Sequence, residues 1–101
     1  MADDLKSIAN AAYPVLIDFY ADWCGPCITL HPILEDVKES FGDKLNLLRV
    51  DVDDNKALAV NFKIKSVPTL MLFKNGKQLW RHSGLISKAD LSEVIENYQT
   101  D

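Results

Sequence analysis

The sequence predicts an α/β fold, a central mixed sheet of four strands flanked by about four helices. Three observations lead there. Two short apolar runs, residues 15–20 and 45–52, bracket a long stretch with helical apolar spacing; strand, long helix and strand in so few residues make a right-handed βαβ unit with parallel strands. Two further strand-like runs flank Asn75-Gly76, the strongest two-residue hairpin signal, because a type I′ turn needs positive φ at both central positions. Finally, 101 residues that are 48% hydrophobic and 26% charged form one domain, 1–101, able to build a core without staples.

The elements follow in order. Leu5, Ile8, Ala9 and Ala12 recur at helical spacing behind Asp3 and Asp4, acidic residues that suit a helix N-terminus, and predict a first helix over residues 3–12. Val15 to Tyr20 is a nearly continuous apolar run after Pro14, as in a strand buried on both faces. Asp18 is its anomaly. From Cys24 the residues Cys27, Leu30, Leu34, Val37 and Phe41 step by three and four toward Gly42, giving one apolar stripe on a helix that ends there; Pro32 inside it should kink it. Leu45 to Val52 is the next strand, and residues 55–62 form a short helix with Asp53 or Asp54 as its cap. Strands 69–74 and 77–83 make the hairpin, and Ser87 caps a last helix that buries Leu91, Val94, Ile95 and Tyr98.

Charge narrows the partners. A net charge of −4 without long runs gives no pull toward phosphate backbones or anionic lipid, so neither nucleic acid nor membrane is an expected partner. The acidic start Met1-Ala2-Asp3-Asp4 lacks the basic and apolar regions of a secretory signal, and no apolar run approaches a membrane span, so a cytoplasmic location is expected. We expect a monomer. Asp51-Val52-Asp53-Asp54-Asn55 hints at calcium, but the glycine and terminal glutamate of an EF-hand loop are missing.

The chemistry centres on Trp23-Cys24-Gly25-Pro26-Cys27, which holds the only two cysteines of the chain. If Cys24 opens the long helix, unpaired backbone N–H groups and the positive end of the helix dipole favour its thiolate, which makes it the nucleophile. Cys27, three positions on, lies on the same helix face within disulfide reach but toward the core, as a resolving thiol. So short a loop removes little unfolded-chain entropy, which suits turnover rather than stapling. Gly25 lets a partner approach closely, and Pro26 fits a first helical turn. Two other readings stand beside this one: inert core cysteines, and a partial zinc site of Cys24, Cys27 and His31 or His82, which lacks a second cysteine pair.

Asp18-Phe19-Tyr20-Ala21-Asp22-Trp23-Cys24-Gly25-Pro26-Cys27, Pro32, Val67-Pro68-Thr69 and Phe73-Lys74-Asn75-Gly76 together resemble the thioredoxin family, over residues 3–99 or so. The resemblance implies the thioredoxin fold and a thiol–disulfide oxidoreductase that reduces protein disulfides, with Cys24 attacking and Cys27 resolving. It implies a cis Pro68 facing the sulfurs, and a client-docking surface of Trp23, Gly25, Pro26, Val67, Pro68 and Gly84. It implies no bound cofactor: electrons come from NADPH through a thioredoxin reductase, and the recipients are disulfide-containing client proteins. Asp18 would accept the proton of Cys27, a role that physics supports, since a carboxyl in an apolar strand has a raised pKa; the plainer reading is an Asp satisfied by local hydrogen bonds.

The departures matter too. Arg49 stands where the family commonly has lysine; taken alone it is a surface charge on an edge strand, and near Asp18 it would hold the carboxyl pKa lower. Ile28 replaces a frequent basic residue and enlarges the apolar docking surface. His31, four residues after Cys27, is expected to be a partly exposed bystander, and Trp80 and His82, alternating on the last strand, are expected to serve sheet packing and the solvent face rather than a site. Too few residues precede Asp18 for the family's first strand as well as a helix, so that strand is expected to be lost and residues 45–52 to lie at a sheet edge, blunted by Asn46 and Arg49. The same scaffold run in reverse would be a disulfide oxidase or isomerase, and a third role is that of a non-catalytic accessory binding subunit.

Overall fold

Residues 12–99 are described by the structure, a computed structural model. The helix expected over residues 3–12 lies almost entirely outside them. Within them run β1 (Val15–Tyr20), α1 (Gly25–Phe41), a 3-10 turn (Gly42–Lys44), β2 (Asn46–Asp51), α2 (Lys56–Asn61), β3 (Thr69–Lys74), β4 (Lys77–Ser83) and α3 (Lys88–Gln99). Three α-helices are thus seen among the described residues, where about four were expected for the whole chain.

The four strands form one mixed sheet in the order β2-β1-β3-β4. β1 pairs parallel with β2, and β3 pairs antiparallel with both β1 and β4. β2 is at the edge among the described strands, as the sequence predicts. The hairpin is also as expected, with Asn75 at φ 53° and Gly76 at φ 78°, the left-handed pair that a type I′ turn demands. A register irregularity between Leu72 and Phe73 re-sets the pairing one step before the turn.

Alternation along β1 divides the core into two layers. Val15, Ile17 and Phe19 pack with Val50, Leu58, Met71 and Phe73 under α2. Leu16 faces the other way, among Leu30, Leu34 and Val37 of α1, Leu70 and Leu72 of β3, and Leu91 and Ile95 of α3. Each fully buried Leu, Ile or Val contributes about 1.5–3 kcal/mol, so the strand is gripped from both sides. Period two then puts Asp18 on the same side as Leu16, beneath α1, and it is wholly buried.

The helix ends are tied by side chains. Cys24 is the N-cap of α1, and Pro26 sits in its first turn. At the other end Lys38 Nζ donates to the carbonyls of Gly42 and Leu45, each at 2.6 Å, which stitches the end of α1 to the start of β2. Ser87 caps α3, its Oγ accepting from the Asp90 amide at 3.1 Å. The expected cap of α2 by Asp53 or Asp54 does not form: Asn55 is the N-cap, without a side-chain cap bond, and its amide donates back to the Asp51 carbonyl at 2.9 Å. The acidic run folds on itself instead, the Asp53 amide donating to Asp51 Oδ1, and this frees the Asp53 carboxylate for another partner.

Candidate active site

The C-terminal end of β1 delivers the chain to the cysteines. The Cys24 amide donates to the Ala21 carbonyl at 3.2 Å, a tight turn that places Cys24 at the head of α1. Cys24 and Cys27 are joined as a disulfide, with Cα atoms 5.3 Å apart. The Cys27 amide points at Cys24 Sγ, 3.2 Å away, and the first turn of α1 carries no acidic side chain. A negative charge on that sulfur therefore meets backbone donors and no opposing carboxylate from its own helix turn.

The asymmetry between the two sulfurs is narrower than expected. Cys27 is 1% exposed and Cys24 only 4%, because Cys24 is bonded inward to Cys27 and faces the Val67 carbonyl oxygen, 3.6 Å from its Sγ. The Val67–Pro68 peptide bond is cis. The loop around it is held by backbone and hydroxyl contacts: Thr69 Oγ1 donates to the Ser66 carbonyl at 2.8 Å, and the Gly84 amide donates to the Pro68 carbonyl at 2.9 Å. Gly84 sits at φ 98°, where an L side chain is strained even though a Cβ would meet no neighbour. Gly25 likewise has open space where a side chain would be.

Two hollows flank the pair. A groove of about 160 Å³ is lined by Trp23, Val52, Ile64, Lys65, Ser66 and Val67. Trp23 is 72% exposed, yet its ring is tethered, since Nε1 donates to Asp53 Oδ2 at 2.8 Å across thirty positions of sequence. Sequence reading gave Asp53 no site role, and no local pattern could have paired residues so far apart.

On the other side lies a cleft of about 230 Å³, lined by Tyr20, Ala21, Asp22, Cys27, Ile28, His31 and Arg49. Arg49 is not an idle surface charge: it is the register partner of Asp18, donates from Nε to Asp18 Oδ2 at 3.2 Å, and stacks over the Tyr20 ring at 3.9 Å. Burial pushes the Asp18 carboxyl pKa up, opposed by the Arg49 hydrogen bond, then by the Arg49 charge and that of His31. Asp18 Oδ1 has no protein partner, so protein hydrogen bonds reach only one of its two oxygens. Ile28 is 65% exposed beside the cleft, in keeping with an enlarged apolar surface.

The histidines face different ways. His31 contacts Glu35 at 3.1 Å, while His82 Nε2 is 3.0 Å from the Leu85 carbonyl and its ring stacks on Trp80. Among the described residues no three His, Cys, Asp or Glu side chains gather as a metal-ligand set.

A thioredoxin family profile matches residues 3–97. The chain belongs to the thioredoxin family. It is 36% identical over 97 residues to a thioredoxin of Haemophilus influenzae, covering 96% of this chain and 91% of that one. It is 42% identical over 96 residues to a thioredoxin of Staphylococcus saprophyticus, covering 95% and 88%. A solved point mutant of the Halobacterium salinarum thioredoxin superposes with a TM-score of 0.89 at 38% identity, over 98% of this chain and 86% of that one. Thiol–disulfide exchange through a Cys-x-x-Cys pair is what this family does, and the chain carries the pair joined at the head of its helix.

Proposed function

We propose that the protein is a dithiol reductant of protein disulfides. In its reduced form Cys24, as thiolate, attacks one sulfur of a client disulfide. The client S–S bond breaks, Cys24 becomes joined to the client, and the departing client sulfur keeps the electron pair and is protonated by water. Cys27 then loses its proton to the Asp18 carboxylate, and its thiolate attacks Cys24 Sγ. The Cys24–Cys27 disulfide forms, the bond from Cys24 to the client breaks, and the client is released with both cysteines reduced. Two electrons have passed from the pair to the client.

The observation that carries this reading is the Cys27 amide aimed at Cys24 Sγ at the start of α1. It supports ionisation of the attacking sulfur while Cys27 stays covered. Trp23, Gly25, Pro26, Val67, Pro68 and Gly84 make the docking surface. An extended client segment beside the Val67 backbone would bind as a transient added strand, which tolerates many side chains.

The oxidised pair must be reduced again, and the reading assigns this to a thioredoxin reductase drawing on NADPH, with no cofactor held by the chain itself. The protein acts as a monomeric electron carrier. A cytoplasmic setting fits the same direction of flow, since that compartment keeps thiols reduced.

Replacing the resolving thiol tests the scheme. Cys27→Ser protein incubated in cell extract should accumulate clients disulfide-linked to Cys24, and Cys24→Ser protein should capture none. Recovery of no linked protein, with Cys24 free and open to alkylation, would overturn it.

A further inference from the structure

Asp18 is closed off from bulk water. Its side chain is 1% exposed, and Arg49 holds one oxygen. The other oxygen, Oδ1, is buried without a protein partner. A base that takes a proton from Cys27 in every turnover must pass it on before it can act again.

A second buried atom nearby is also unpaired. His31 Nδ1 has no protein partner, although the His31 side chain is 38% exposed and its Nε2 lies 3.1 Å from Glu35 Oε1. Glu35 accepts, so it fixes the proton of neutral His31 on Nε2 and leaves Nδ1 as the basic nitrogen. His31, Cys27 and Arg49 line the same cleft of about 230 Å³, ample for water, and Arg49 joins Asp18 to its wall through the 3.2 Å bond to Oδ2. Buried polar atoms without protein partners draw water to them. Asp18 and His31 also feel one another electrostatically.

We propose that His31 is the outer station of a proton relay, taking at Nδ1, through water in the Cys27 cleft, the proton that Cys27 has given to Asp18, and losing it to solvent. The step balances: Asp18 returns to carboxylate, His31 becomes imidazolium beside Glu35, and deprotonation on its exposed edge restores it. Nothing is oxidised or reduced in it. The charged groups of the cleft wall are Arg49 from the sheet and Asp22 from the turn after β1, with Asp18 bonded to Arg49 and Glu35 in contact with His31. Arg49 repels a proton from the sheet side and Glu35 stabilises it on the solvent side, so the field runs outward. His31 acts through Asp18 and positions the departing proton; it does not touch the exchanging sulfurs.

This relay rests on the proposed role of Asp18, and the experiment separates the two. The mixed disulfide between Cys24 and a small client is formed, and its resolution by Cys27 is timed in weak buffer for the parent, Asp18→Asn and His31→Gln. His31→Gln keeps a half-exposed side chain of similar size on α1, and its urea midpoint is measured to confirm folding. Resolution should slow by about tenfold in His31→Gln, less than the 10²–10⁴-fold typical of losing a direct general base. Added imidazole should restore the rate in proportion to its concentration, while the parent stays insensitive. Attack by Cys24, timed in the Cys27→Ser background, should not change. A His31→Gln rate equal to the parent's, or a slowed rate that imidazole does not restore, would overturn the relay. If Asp18→Asn also resolves at the parent rate, the role of Asp18 falls with it; if only Asp18→Asn is slow, the relay alone falls.

Discussion

On the Trp23 side of the cysteine pair the walls are an aromatic ring and the aliphatic Val52, Ile64 and Val67, with Lys65 and Ser66 beside them; on the Cys27 side they are a guanidinium, an imidazole and a carboxylate around Tyr20 and Ile28. The groove offers shape and backbone, which an extended client of almost any sequence can use. Two of the cleft's polar groups are held by neighbours: Arg49 by Asp18 and Tyr20, His31 by Glu35. One sulfur belongs to each side, Cys24 with the Val67 carbonyl and Cys27 with the cleft. On the proposed function, client recognition and proton handling are separated by the width of one disulfide, and a substitution on one side should leave the other side's measurement untouched.

Asp18→Asn should break the proton side hardest. Resolution by Cys27 near neutral pH is expected to slow by about 10²-fold or more, the usual worth of a positioned general base, while attack by Cys24 is spared. Rapid-quench timing of the two steps decides it, and equal resolution rates across pH 6 to 9 would remove Asp18 from the chemistry. The same variant should be more stable than the parent at high pH. A carboxyl whose folded pKa is raised contributes stability below its unfolded value, near 3.9, that is lost as pH climbs through the folded value, at no more than about 1.4 kcal/mol per pH unit. Asparagine never ionises, so urea midpoints measured from pH 4 to pH 8 should fall less steeply than the parent's.

Much of this was legible in the sequence. The apolar runs and the Asn75-Gly76 turn gave all four strands, the parallel β1–β2 pair and the antiparallel β3–β4 pair, because pattern and turn chemistry are local; the antiparallel β1–β3 pairing is a long-range contact that neither signal carries. The Cys24–Cys27 geometry was legible for the same reason: spacing three on a helix leaves two sulfurs little choice. The misreadings concern what local signals cannot carry. Asp53 and Asp54 look like caps, but the competing Asp51 side chain draws the Asp53 amide and Asn55 turns back to the Asp51 carbonyl, so Asp53 reaches Trp23 instead. Arg49 looks like an edge charge until the register of two parallel strands sets it opposite Asp18.

Arg49→Met sharpens the comparison with a smaller effect. Removing the hydrogen bond and the charge leaves burial opposed only by His31, so the Asp18 pKa moves further up and the carboxylate form is confined to higher pH. The resolution profile should shift toward alkaline pH, by about tenfold in rate at fixed neutral pH for each unit of displacement. Loss of stability from pH 4 to pH 8 should be steeper than in the parent, since the ionised carboxyl is then buried without its partner. A shift toward acid would mean that Arg49 does not favour the ionised form.

The smallest effect is expected on the client side, at Asp53. Its bond to Trp23 Nε1 is short but solvent-exposed, so water replaces it readily and the net contribution sits at the low end of about 0.5–1.5 kcal/mol. Asp53→Ala leaves the indole in place but free to rotate, and a client must then order it on binding. The expected result is a two- to threefold rise in KM for a protein disulfide, roughly what that energy range allows, with resolution by Cys27 unchanged. A small-molecule disulfide that does not reach the groove should show no rise at all. If both substrates lose equally, the tether is serving the sulfurs and not the docking wall, and the division between the two hollows is wrong at this point.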